Sequence, residues 1–437
     1  MSKGELAQKI IKGSFTSLSI KSCGAAAAYF AQIYIANKLG AEQYGLYSVV
    51  LIFINFSALL AVLGFNTTSL KLVSRYRIKN NISLLRRYLD LSITANLIAS
   101  CLMVMLIVAV TVLIKRHFGL DNFLIGVLVI LIPLESLLLL LASFFLGASH
   151  IGVSQIPIIL LRPVLVVLCL FAMEKSSIEI ELPRLMLVII SIALLLVVIY
   201  LIYMKKLLWI PSFKTKLLRD RIAKVWLVGS LPFVAISFFN ILLNQLDILM
   251  ISNIHGNVYA GVYTAAVKVA GLATFILTAI NLVIAPSISG LYAQRDLIKL
   301  AKLLSITAKI TTFWALIILT ALTQYGEYIL LMFGKEFIAA EGVLIVLLIS
   351  QVVNIGSGSV GYLLNMSGRQ NYSVRALVAS SVVNVIANTI LIPGYGIEGA
   401  AYATLISTIV WNLYLVAIAY RELGINTTVF STGRLRV

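Results

Sequence analysis

Uncharged apolar stretches of about 20 residues recur from one end of the chain to the other, each bounded by charge or by Gly and Pro. A run of that length can cross the hydrocarbon of a bilayer as a helix. The pattern predicts spans near 14–38, 44–69, 88–114, 122–147, 153–173, 185–204, 225–252, 260–288, 304–325, 341–366, 376–393 and 398–420, which makes twelve. The last two come from dividing one long apolar run at Pro393-Gly394-Tyr395-Gly396. The N-terminal apolar stretch continues to about Ala36, too long for the core of a cleaved signal peptide, so it is read as the first span.

Within this pattern the polar positions show helical spacing. Ser14, Ser17, Lys21 and Gly24 share a face of the first span, Asn240, Asn244 and Asp247 a face of the seventh, and Ser381, Asn384 and Asn388 a face of the eleventh. Taken singly, the Ser and Asn positions fit interhelical hydrogen bonding. Stripes at matching places in the first and seventh spans also fit the lining of a polar cavity. Pro133, Pro157, Pro163, Pro232 and Pro286 fall inside spans, where each removes a backbone donor and can kink its helix.

Composition agrees with the pattern: 61% of 437 residues are apolar and 11% charged, and the mean hydropathy is +1.05. A soluble domain is about 45–50% apolar and about 25% charged. The net charge of +18 would suggest nucleic-acid binding in a soluble protein, but here the basic residues fill short loops between spans. With the N-terminus inside, 25 Lys and Arg fall on the inner side and 6 on the outer. This asymmetry predicts that both termini are cytoplasmic and excludes nucleic acid as a partner.

The longest basic connection, 205–224, lies midway, with six spans on each side. The expected organisation is a six-helix lobe over 1–204, a basic cytoplasmic linker over 205–224, a second six-helix lobe over 225–420 and a cytoplasmic tail over 421–437. A short repeat supports duplication. Gly40, Gly45, Tyr47 and Ser48 follow the first span, and Gly256, Gly261, Tyr263 and Thr264 follow the seventh, so G-x4-G-x-Y-[ST] recurs at an offset of 216 residues. Because each lobe has an even number of spans, the repeat is parallel.

No Walker loop, H-E-x-x-H, nucleophile elbow or Cys/His cluster is present, and the chain calls for no cofactor or catalytic residue. Cys23, Cys101 and Cys169 fall inside spans and read as small packing residues. The candidate chemistry is the set of ionisable residues within spans: Lys21, Glu135, Arg162, Asp247 and Lys268. A charge at the bilayer centre costs roughly 2.5–3.5 kcal/mol on translocon scales and marks a bundle interior or an aqueous cavity. Three cations against two carboxylates suit an anionic ligand. The candidate substrate contacts are therefore Lys21, Arg162 and Lys268, with Asn240 and Asn244, and the candidate ion-coupling sites are Asp247 and Glu135. The bland alternative pairs Glu135 with Arg162 and Asp247 with Lys268, leaving Lys21 as the ligand candidate.

The stretches Ala36-Asn-Lys-Leu-Gly40, Tyr44-Gly45-Leu-Tyr47, Asn244-Gln-Leu-Asp247, Met332-Phe-Gly334-Lys-Glu-Phe337 and Asn388-Thr-Ile-Leu-Ile-Pro393-Gly-Tyr-Gly396-Ile-Glu-Gly399, in this order, resemble the O-antigen and capsule (Wzx-type) polysaccharide flippases of the multidrug/oligosaccharidyl-lipid/polysaccharide exporter superfamily. The resemblance implies an all-α integral membrane fold of about twelve transmembrane helices, in two pseudo-symmetric six-helix lobes around a central cavity that is often cationic. It also implies movement of an undecaprenyl-diphosphate-linked oligosaccharide across the cell inner membrane by alternating access, with membrane lipids and other polysaccharide assembly proteins as partners. A cation-coupled multidrug exporter of the same superfamily should favour buried carboxylates over buried cations. An oligosaccharide polymerase or ligase wants a large outer loop with catalytic Arg or His, which this chain lacks.

Overall fold

The computed structural model describes residues 3–207, 221–433 and 435. Most of the basic linker, 208–220, lies outside the described residues, as do Arg434 and Arg436 of the tail. Among the described residues there is no β-strand beyond one isolated bridge between Ile425 and Leu435. That is the expected outcome for a chain in lipid, where each backbone N–H and C=O must find its partner within its own segment.

The helices are α1 (Lys3–Ala61), α2 (Phe65–Ile78), α3 (Ile82–Ala109), α4 (Thr111–Phe118), α5 (Asn122–Gly147), α6 (Ile151–Gln155), α7 (Arg162–Lys175), α8 (Leu182–Leu207), α9 (Arg221–His255), α10 (Asn257–Gly271), α11 (Thr274–Ala293), α12 (Leu297–Phe333), α13 (Glu341–Gly356), α14 (Val360–Met366) and α15 (Gln370–Leu423). A π-helical turn, Ile156–Leu161, joins α6 to α7, and a 3-10 turn, Lys335–Ala340, precedes α13. Side-chain caps start several helices: Asp121 accepts from the Leu124 N–H at 2.8 Å, and Asp296 from the Lys299 N–H at 3.1 Å.

Nine helices among the described residues are long and apolar enough to cross a membrane. Two of them break at a glycine. In α1 Gly40 has φ 72° and ψ 173°, and in α15 Gly396, inside the Pro-Gly-Tyr-Gly segment, has φ 58° and ψ −133°. The apolar part of α1 has 43 residues and α15 has 54, so at 1.5 Å per residue each is long enough to cross twice. That brings nine crossings to eleven, and α10 with α11, joined through two helical residues, completes twelve.

The described residues form two compact units: residues up to 39 with 46–238, and 40–45 with 239–437. In the first, α5 is the central element, with Leu128, Leu131, Leu140 and Phe144 fully buried. Polar groups tie its neighbours together. Asn96 Nδ2 donates to the Ala61 carbonyl at 3.3 Å, and the hydroxyls of Ser100 and Ser136 lie 2.9 Å apart. Trp226, at the start of α9, donates to the Tyr76 hydroxyl at 3.0 Å.

In the second unit Leu300, Leu304, Leu363, Leu364, Leu415 and Ala419 form a buried core shared by α12, α14 and α15. Here the repeat meets itself. Gly40 and Gly256 adopt nearly the same backbone conformation, φ 72° and 94° with ψ 173° in both. A Cβ on Gly45 would stand 1.8 Å from the Asn257 carbonyl oxygen, and one on Gly261 2.1 Å from the Ala41 carbonyl oxygen. Each copy's second glycine thus lies against the residue that follows the other copy's first glycine. The glycines are there because two backbones touch.

Two members of the eleventh-span stripe bond outside their span, and the third, Asn388, bonds within it and keeps a buried Oδ1 with no partner among the described residues. Ser381 Oγ donates to the Phe239 carbonyl at 3.1 Å, Asn384 Nδ2 to Ser407 Oγ at 3.3 Å, and Asn388 Nδ2 to Asn384 Oδ1 at 3.0 Å.

Candidate functional site: a cationic cavity in the first unit and a buried carboxylate in the second

Span five carries Pro157 and Pro163 six residues apart: Pro157 lies in the π turn Ile156–Leu161, and Pro163 follows Arg162 at the start of α7. Pro163 has no N–H to offer Ile159, four residues back, so the Ile159 carbonyl loses its helical donor. Gly24 of α1 lies against this place: a Cβ there would fall 2.4 Å from Ile159 Cγ2 and 2.6 Å from the Ile159 oxygen. The turn and the glycine bring α1 and span five into backbone contact. Below it Ser17 Oγ donates to Gln155 Oε1 at 3.0 Å.

Beside this contact lies a cavity of about 390 Å³, lined among others by Lys21, Gln32, Tyr47, Asn55 and Arg162. Arg162 grips Glu135 bidentately, Nη1 to Oε2 at 2.9 Å and Nη2 to Oε1 at 2.6 Å. Glu135 is buried, while the Arg162 side chain keeps 24% exposure. A bidentate pair occupies two of five guanidinium donors, so Arg162 is fixed in place with donors left over. Lys21 lines the same cavity and has no hydrogen-bond or ion-pair partner among the described residues. With Arg162 offset by Glu135, Lys21 gives the cavity its net positive charge. Just before the break of α1 at Gly40, Glu174 accepts from the Tyr34 hydroxyl and from Lys38 Nζ, fastening α1 to α7.

In the second unit Asp247 is 4% exposed. Its Oδ2 accepts from the Tyr263 hydroxyl at 2.7 Å and from Thr404 Oγ1 at 2.8 Å. Its Oδ1 is buried and receives no hydrogen bond among the described residues. Lys268 does not pair with it: Lys268 is exposed and has no partner among the described residues. The reason is helical phase. Tyr263 points α10 at Asp247, and five further residues turn Lys268 about 140° away. Asn240 and Asn244 are exposed, one turn apart, with Asn244 Nδ2 on the Asn240 carbonyl at 2.7 Å. Lys21, Arg162 and Glu135 are thus brought together in one unit, while Asp247, Lys268, Asn240 and Asn244 belong to the other.

Sequence reasoning missed Gln32 and Asn55 in the cavity, and Tyr263 and Thr404 around the carboxylate. One signal was present. Tyr47 and Tyr263 are equivalent positions of the repeat; Tyr47 hydrogen bonds Gln32 in the cavity, and Tyr263 bonds Asp247.

Helices this long and apolar, with ionisable groups buried among them, are those of a multi-pass membrane protein. The chain belongs to the polysaccharide biosynthesis protein family, which matches residues 10–292. The MatE family matches residues 232–390. A probable low-salt glycan biosynthesis flippase, Agl15, of Haloferax volcanii is 27% identical over 150 residues, covering 34% of this chain. The match spans about a third of that relative's length, 32%. Among solved structures, an inward-facing multidrug resistance MATE family transporter of the MOP superfamily superposes with a TM-score of 0.74 at 13% identity, covering 94% of this chain and 98% of its own. The lipid II flippase MurJ, in an inward closed conformation, gives 0.65 at 15% identity, covering 93% and 86%. A MOP superfamily transporter from Pyrococcus furiosus gives 0.64 at 14% identity, covering 95% of each chain. The fold is that of the MOP superfamily transporters.

Proposed function

We propose that the protein is a flippase that moves an undecaprenyl-diphosphate-linked oligosaccharide, an O-antigen or related surface-polysaccharide unit, from the cytoplasmic to the periplasmic leaflet of the inner membrane by alternating access. The observation that carries this reading is the cavity of the first unit, where Lys21 stands without a counter-charge beside an Arg162 held open by Glu135. A diphosphate leaving water must recover the hydration it loses, and charge-assisted donors supply that recovery. Gln32, Asn55 and Tyr47 add neutral donors and acceptors suited to sugar hydroxyls. Lys268, Asn240 and Asn244 are further proposed substrate contacts, belonging to the second unit. The polyprenyl chain stays in lipid, so only the head group needs a polar path.

Asp247 is the proposed coupling site, because one of its oxygens is buried with no donor and a proton or a cation would satisfy it. That same carboxylate is what favours the second reading, a cation-coupled multidrug exporter. Complementation separates them. In a strain lacking its lipid-linked oligosaccharide flippase, tested with a panel of glycans, the chain should restore export of at least one glycan. A well-expressed protein that restores none, while lowering the accumulation of cationic drugs, overturns the flippase reading.

A further inference from the structure

A second cavity, of about 510 Å³, opens in the second unit where several helix ends converge: Ala293 closes α11, Leu297 opens α12, Arg369 precedes α15 and Leu423 closes it. Arg295 and Arg369 line it together with Tyr292 and Glu422. The two arginines are held differently. Arg369 is built in: Nη1 donates to the Tyr292 hydroxyl at 2.7 Å, Nε lies 3.8 Å from Glu422 Oε2, and the guanidinium sits 6.0 Å from the Tyr292 ring centre.

Arg295 has no hydrogen-bond or ion-pair partner among the described residues. Yet its backbone is fixed at φ 59°, in the left-handed region that residues with a Cβ seldom adopt. Two turn hydrogen bonds hold it there, Arg295 N–H to the Tyr292 carbonyl and Asp296 N–H to the Leu291 carbonyl, both 3.0 Å. The constrained backbone thus holds an exposed guanidinium with no protein partner among the described residues at the edge of the cavity. The neighbouring carboxylate does not neutralise it. Asp296 is engaged by the Lys299 side chain at 2.7 Å and by its backbone N–H, which hold the carboxyl below its ordinary range.

The charge around the cavity is lopsided. Lys299 and Lys302 in the first two turns of α12, Arg375 in the first two turns of α15 and Arg421 near its end add to the two lining arginines. Asp296 and Glu422 are the acidic residues in these same stretches. The lining is also amphipathic, since Leu297, Leu423 and Ala293 share it with the guanidinium groups. All these loops are on the side that the Lys/Arg asymmetry makes cytoplasmic.

We infer that this cavity binds a phosphate group at the cytoplasmic membrane surface, with Arg295 as the recruiting cation and Arg369 as the fixed one. The apolar part of the lining and the position at helix ends suit the head group of an anionic phospholipid; a soluble phosphate offers the same chemistry. Basic pockets between helices on the cytoplasmic side are the kind of site that such head groups occupy. The inference is independent of the glycan that the first unit's cavity carries.

The test uses the full chain purified in detergent. Native mass spectrometry after addition of phosphatidylglycerol or phosphatidylcholine should show phosphatidylglycerol retained preferentially by about fivefold. Arg295→Gln, which removes no intramolecular contact, should bring the two lipids within about twofold, whereas Lys335→Gln at the far side should change nothing. In a second arm inorganic phosphate is added and the melting temperature followed. A rise that Arg295→Gln abolishes, without lipid preference, assigns the site to a soluble phosphate. Neither a lipid preference nor a phosphate-dependent rise, or effects that Arg295→Gln leaves intact, overturns the inference.

Discussion

Lys21 and Arg162 line the same cavity with the same sign of charge but differ in what fixes them, and the difference predicts distinct phenotypes. Lys21 has no intramolecular partner among the described residues, so Lys21→Ala should leave membrane levels and melting temperature near wild type while lowering export by about tenfold, the equivalent of one lost charge-assisted hydrogen bond at roughly 1.5–3 kcal/mol. Full export by Lys21→Ala, Arg162→Ala and Lys268→Ala alike would sink the cationic-cavity reading. Arg162 is a half of a pair, and removing one half of a buried pair strands the other at a cost of about 3–5 kcal/mol. Glu135→Gln should therefore lower the melting temperature of the purified protein, and Glu135→Leu combined with Arg162→Met should recover most of that loss. The double variant should still fail to export, because what it restores is packing and what it lacks is a donor to phosphate. Recovery of both stability and export would make the pair purely structural. From the sequence this pair was one of two open possibilities. Arg162 opens α7 directly after the π turn, and although Pro157 and Pro163 mark a possible kink, nothing in composition or spacing reports that the guanidinium reaches Glu135. The partners of Asp247 were even less visible, since Thr404 lies 157 residues away and neither hydroxyl is distinguishable from an ordinary interhelical bond until the helices are placed.

Among the elements, the glycine repeat behaves differently from the apolar runs around it. Hydrophobic length predicted each crossing, since in lipid little else decides whether a segment spans. It could not say why G-x4-G recurs, because a backbone-to-backbone approach has no hydropathy. The structure gives the reason at two positions, where a Cβ on Gly45 or Gly261 would enter a carbonyl oxygen at 1.8 and 2.1 Å. Gly45→Ala and Gly261→Ala should each cost at least the 1–3 kcal/mol typical of overpacking, read as a drop in melting temperature or in folded yield. Since the two glycines share one contact, the double variant should cost less than the sum of the singles. Strict additivity would mean that the two copies are not in contact. Gly126, with nothing within 4 Å of an added Cβ, is the control: Gly126→Ala should be tolerated. The break at Gly396 was legible for a related reason, as Pro393-Gly394-Tyr395-Gly396 cannot continue a helix without leaving donors or conformations unsatisfied.

For the whole molecule, topology and duplication are one argument. If each lobe of the hydropathy pattern holds an even number of crossings, equivalent residues of the repeat fall on the same side of the membrane. The first glycines follow the first and seventh spans of the hydropathy pattern and share a backbone conformation. An inverted repeat would place Gly40 and Gly256 on opposite faces, where their segments could not lie against each other as they do. Hence reporters inserted after Lys38 and after His255 should agree, both reading outside, and a reporter near Lys214 should read inside. The Lys and Arg excess supplies the sign that the fold alone lacks, because a helical bundle is consistent with either orientation until its loop charges are counted. Discordant reporters at Lys38 and His255 would break the parallel repeat itself. Concordant reporters with the opposite sign would keep the repeat and invert the protein, moving Arg295 and Arg369 to the periplasmic surface and ending the case for a cytoplasmic phosphate site.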